Sequence, residues 1–76
     1  MENENQDVNS DLIASIKAES AELETKITAL REMKGSFEFN ELPVKQQGLL
    51  MMQLNAMELY ADILNLRIDD LSLNIE

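Results

Sequence analysis

Residues 49–75, "LLMMQLNAMELYADILNLRIDDLSLNI", carry apolar side chains on two separate sides of any helix they form. At about 100° per residue, Leu50, Leu54, Met57, Ala61, Leu64, Ile68, Leu71 and Ile75 fall on one stripe. A second stripe takes Leu49, Met52, Ala56, Leu59, Ile63, Leu66 and Leu73, and both keep the three-four rhythm of helix packing. Gln47, Asn55, Glu58, Asp62, Asn65, Asp69 and Glu76 gather on the polar side. One neighbouring helix covers one stripe. A contiguous apolar patch of this length exceeds what soluble monomers usually expose, so the second stripe is expected to meet another copy of the chain, the rival being a monomer whose stripe awaits a foreign partner.

Upstream, Ile13, Ile16, Leu23, Ile27 and Leu30 repeat at the same spacing, with Ser20 the one interruption. The pattern predicts a helix over about 10–34, capped by Asn9 or Ser10, with Asp11 in its first turn and Arg31 and Lys34 in its last. Gly35 fits a left-handed C-cap. Pro43 suits the first position of a second helix over about 43–74, where its missing N–H costs nothing. Between them lies a loop, 35–42, whose Phe37 and Phe39 are expected to plug the end of the hairpin. Gly48 is either tolerated in the helix or marks a close backbone approach. At ~1.5 Å per residue the helices would span about 37 and 48 Å and so differ in length. The expected fold is all-α: an antiparallel two-helix hairpin over 9–76 with coiled-coil-like packing, oligomerising through the long second helix, after a disordered acidic tail over 1–8.

Composition narrows the function. A chain of 76 residues is one small domain, and it has neither Cys nor His. Disulfide staples and the usual zinc and haem ligand sets are therefore absent, leaving oligomerisation as the common support for so small a core. The formal charge is −9, from 6 Lys and Arg against 15 Asp and Glu, spread over both halves of the chain. Binding to phosphate backbones or anionic lipid needs the opposite sign, so no direct nucleic-acid or membrane partner is expected. The N-terminus "MENENQDVNSD" lacks the basic and apolar regions of a secretory signal, and polar residues interrupt the most apolar segment. A soluble, cytoplasmic protein is expected.

Catalysis has little to stand on. There is no Gly-rich phosphate loop and no nucleophile with a base, and two helices enclose little volume in which to exclude water. No catalytic residue, metal or cofactor is expected. Candidates for binding a partner are Met51, which projects from the polar side, the acidic row Glu58, Asp62 and Asp69, and Tyr60 with Arg67 between the stripes. Arg31, Lys34 and Lys45 gather where one helix ends and the next begins, and several copies in an oligomer would form an anion site. The oligomer interface is expected along Leu49, Met52, Ala56, Leu59, Ile63, Leu66 and Leu73.

The order Phe39, Leu42, Pro43, Gln46 or Gln47, Leu49 and Leu50, Gln53, Ala56 and Met57, Tyr60, Ile63 and Leu64, Arg67 and Ile68 resembles a family of short two-helix proteins from crAss-like and other phages. Gln53, Tyr60 and Arg67 go beyond what a generic core demands, whereas Gly48, Met51 and Met52 depart from the more charged pattern of that family. The resemblance covers roughly residues 12–70 and implies a phage accessory protein in the cytoplasm of the infected host. Phage proteins of this size often counter host defence by stoichiometric binding, so the leading expectation is a homo-oligomer that occupies a host defence protein. The architecture is also similar to small helical phage proteins that form oligomeric sponges for cyclic-nucleotide immune signals. A structural or regulatory phage protein without a defence role is the third reading.

Overall fold

The computed structural model describes residues 4–73, and all three of its elements are helices: α1 Glu4–Lys34, α2 Phe37–Glu41 and α3 Val44–Leu73. The two long helices pack along each other as a hairpin rod of 58 × 14 × 13 Å. Their direction is antiparallel. Arg31 reaches Glu58 while Glu19, further back on α1, reaches Tyr60 further along α3.

The core is the seam that the spacing marked. Ile13, Ile16, Leu23 and Ile27 of α1 are buried with Leu54, Ala61 and Leu64 of α3, and Ile27 and Leu64 are the most deeply enclosed. Leu30, Met57, Ile68 and Leu71 pack against that cluster and close its flanks. Side chains three and four apart share a helix face, so each helix presents one such row to the other. Among the described residues the core takes in no polar side chain: where the α1 row is broken, Ser20 is only half-buried.

Several local features differ from the sequence expectations. α1 begins at Glu4, so the backbone of 4–8 is helical rather than a disordered tail, and Asn9 and Ser10 lie inside the helix instead of capping it. Residues 1–3 lie outside the described residues, as do Asn74, Ile75 and Glu76. With that extension α1 has 31 residues and α3 has 30, so the helices match in length where a shorter first helix was expected. The polar stretch "ENQDVN" carries no apolar period, yet polar residues prolong a helix that packing has already nucleated.

The connection also holds more structure than a loop. Gly35 has no positive φ; α1 ends by a tightened turn, with the Gly35 N–H donating to the carbonyls of Arg31 and Glu32 and the Ser36 N–H to that of Met33. Ser36 then caps the five-residue α2, its hydroxyl accepting from the Phe39 N–H and donating to the Met33 carbonyl. Phe39 tucks into a crevice with Leu30, Lys34, Leu50, Met51 and Leu54. Phe37 does not plug the end, being 74% exposed on the outer side of α2. Pro43 sits one position before the first helical residue of α3, and its carbonyl accepts the opening helical bond from the Gln47 N–H. The Gln47 side-chain amide turns back to donate to the Leu42 carbonyl, which ties α2 to α3. Around Gly48 an added Cβ meets nothing within 4 Å, so this glycine marks no close approach among the described residues.

Candidate functional site

The side of α3 turned away from α1 is apolar. Leu49, Met52, Leu59, Ile63, Leu66 and Leu73 are between 44% and 78% exposed, and Ala56 between them is exposed as well. From Leu49 to Leu73 this stripe runs about 36 Å at ~1.5 Å per residue. It arises from the same rule that builds the core: a helix with two apolar rows set far apart around its axis gives only one of them to a single neighbour. The hairpin is therefore complete on one side of α3 and open on the other.

The two edges between these sides differ. On one edge Glu58 accepts two hydrogen bonds from the Arg31 guanidinium, from Nε at 3.0 Å and from Nη2 at 2.7 Å, both on the same carboxylate oxygen. Both side chains remain partly exposed, so the pair is solvated and its contribution to stability is small. It nonetheless removes Glu58 from the acidic row and Arg31 from the cationic group at the hairpin end. Asp62 and Asp69 stay exposed without Glu58 as a free companion, and Lys34 and Lys45 stay exposed at the end where Phe39 closes the core. Met51 faces that same end, lining the crevice around Phe39.

On the other edge Tyr60 is 42% exposed, and its hydroxyl donates to the Glu19 carboxylate of α1, which fixes the ring across the gap between helices. Arg67 follows one heptad later, exposed, in a groove with Leu12, Ile63, Leu66, Asp70 and Leu71. A second groove on this edge brings Lys26 of α1 beside Gln53, with Ala29, Leu30, Met33 and Met57 as its floor. Gln53, Tyr60 and Arg67, set apart in the sequence because no core requires them, thus line one edge. Lys26 escaped the sequence reading because it joins that edge only through the register of α1 against α3, which periodicity within one helix does not disclose.

The family pattern described as Sequestin matches residues 10–70, from the first turns of α1 to the last of α3. The chain belongs to the Sequestin family. The match takes in the buried seam from Ile13 to Leu64, the connection, the exposed stripe as far as Leu66 and the Tyr60–Arg67 edge, so these lie within the Sequestin segment, while Leu71 and Leu73 follow its end. Comparison with curated proteins finds no match, and comparison with solved structures finds none. Among the described residues, no helix is long and apolar enough to cross a membrane.

Proposed function

We propose that the protein is a non-enzymatic sequestering protein of phage type, which assembles with copies of itself along α3 and acts against host defence by stoichiometric capture. The observation that carries this reading is the exposed apolar stripe from Leu49 to Leu73, which a hairpin cannot cover by itself. The family name, Sequestin, is compatible with a role in holding a target rather than converting it.

For the target, the edge chemistry favours a small nucleotide signal over a protein surface. An exposed aromatic ring offers a stacking platform for a base, and a guanidinium one heptad away offers a planar fork for a phosphate. Tyr60 and Arg67 supply these groups, and Lys26 adds a cation nearby. The acidic row, by contrast, is weakened as a mimic of phosphates because Arg31 neutralises Glu58. A host defence protein, the leading expectation from the sequence, becomes the second reading, supported by the net charge of −9 and the exposed Asp62 and Asp69. Calorimetry against a panel of cyclic di- and trinucleotides separates the two. Binding that weakens at least tenfold in Arg67→Gln, with the oligomer intact, supports the nucleotide reading. Binding to none of the panel, together with capture of a host protein lost in Asp62→Lys with Asp69→Lys, supports the protein reading instead.

A further inference from the structure

The exposed stripe is a strict heptad interrupted by charge at its two ends. One row of it is Leu49, Ala56, Ile63 and Asp70; the other is Lys45, Met52, Leu59 and Leu66, with Leu73 beyond. Lys45 and Asp70 are both exposed. A charged residue at such a position is costly in a seam unless an opposite charge meets it there, and for this reason it selects register and direction.

We infer that the occupant of this face is a second copy of the chain, lying antiparallel, with the two-fold axis between residues 57 and 58 of each α3. This rests on the self-assembly part of the proposed function and adds the direction and the register. In this register Lys45 of each copy faces Asp70 of the other, Leu49 faces Leu66, Met52 faces Ile63, and Ala56 faces Leu59. Every layer then sets a small or flexible residue against a bulky one, leucine against leucine, or a cation against an anion. A parallel pairing instead places Lys45 against Lys45 and Asp70 against Asp70. Sliding the antiparallel pair by one heptad sets Asp70 against Met52 in one direction and Lys45 against Ile63 in the other. Only one arrangement satisfies both charges.

The flanks agree with it. Residues at the edges of an antiparallel seam meet their own kind of edge, so Asn55 comes beside Asp62 of the second copy and Gly48 beside Asp69. On the other flank Gln53 comes beside Tyr60 and Gln46 beside Arg67. No two like charges oppose each other on either side. The second flank collects Gln46, Gln53, Tyr60 and Arg67 from both copies, with Asp70 in the groove of Arg67 and Glu19 of α1 on the Tyr60 hydroxyl. In a chain of charge −9 this flank brings aromatic and cationic groups of two copies onto one surface.

The absence of native cysteine makes the register directly readable by disulfide crosslinking. Met52→Cys and Ile63→Cys proteins are prepared separately, oxidised alone, then mixed, allowed to exchange and oxidised again. The expected result is a mixed disulfide between the two variants and little crosslinking of either alone, because each position lies about 16 Å along the axis from its own copy. Self-crosslinking of both variants means a parallel seam and overturns the inference, and so does the lack of a mixed product in a protein that is otherwise oligomeric. Charge exchange gives an independent measure: Lys45→Asp should weaken self-association roughly tenfold, and adding Asp70→Lys should restore it. No change in the single variant overturns the register. A wild-type protein that sediments as a monomer at micromolar concentration sinks the self-assembly reading itself, an outcome distinct from a wrong register.

Discussion

The inner and outer stripes of α3 use the same residue types at the same spacing, yet one is sealed and the other is open. Leu54, Ala61 and Leu64 are nine-tenths or more buried against α1, while Leu59, Ile63 and Leu66, on the same turns of the same helix, lie exposed. What separates them is the presence of a partner row. α1 has one apolar row, which runs from Ile13 to Leu30, and its opposite side carries Ala14, Ala18, Ala21, Thr25 and Thr28. A helix with two rows facing a helix with one leaves a remainder. The difference teaches that the fold and the proposed assembly rest on the same signal and are distinguished only by counting the rows available to pair.

The largest effect expected from breaking this comparison lies on the inner side. Leu64 is fully enclosed at 0% exposure, and Leu64→Ala should cost about 2–5 kcal/mol because the cavity left by a truncated core residue collapses only in part. With so few buried residues, that is a large share of the 5–15 kcal/mol typical of a folded domain. The measurement is thermal unfolding followed by circular dichroism. A shift in midpoint no larger than that of an exposed substitution would mean that the seam between α1 and α3 is not the core of the molecule.

The second effect belongs to the outer side. Ile63→Asp leaves the inner seam untouched but puts an unpaired charge into the face proposed for self-association, where burying it is costly by several kcal/mol. Sedimentation should show the variant as a monomer. Its helicity should persist at high concentration or fall with the loss of the second copy, and the concentration dependence of the wild-type midpoint tells which, since a partner that binds only the folded chain raises apparent stability by mass action. An Ile63→Asp protein that keeps the wild-type oligomer would move the interface off this stripe, and the asymmetry between the two sides of α3 would need another cause.

The helices and their inner rows were legible because burial leaves a period in the sequence, and the match of Ile13, Ile16, Leu23 and Ile27 with Leu54, Ala61 and Leu64 follows from that period alone. The first turns of α1 left none. Polar residues such as Asn5, Gln6 and Asp7 are compatible with helix and tail alike, so the start at Glu4 and the equal lengths of the two helices were not readable. Gly35 and Phe37 show a different limit. Glycine permits a left-handed cap without requiring one, and an aromatic residue next to a turn is drawn inward only if the short helix that carries it turns that way; α2 buries Phe39 partly and leaves Phe37 outside. For the candidate site, Tyr60, Gln53 and Arg67 stood out within α3 by being unnecessary to its core. Their α1 neighbours Glu19 and Lys26, and the pairing of Arg31 with Glu58, depend on how one helix is set against another.

The smallest effect tests the two edges of α3 against each other. Arg31 and Glu58 form the ion pair of one edge, and both are too exposed for it to contribute much, so a double-mutant cycle with Arg31→Gln and Glu58→Gln should give a coupling of roughly 0.2–1 kcal/mol that shrinks as salt is raised. Neither variant should change the oligomer or the capture of its target, because this edge carries no Tyr60 or Arg67. The opposite edge should respond the other way round: Tyr60→Phe removes the hydroxyl that donates to Glu19 but keeps the ring, so stability should fall slightly while stacking is retained, and Tyr60→Ala should abolish capture. Binding assays on the four variants at one temperature place each edge on its own side of the comparison. If Glu58→Gln impairs capture more than Tyr60→Ala does, the acidic edge is the working surface, and a basic protein target takes precedence over a nucleotide.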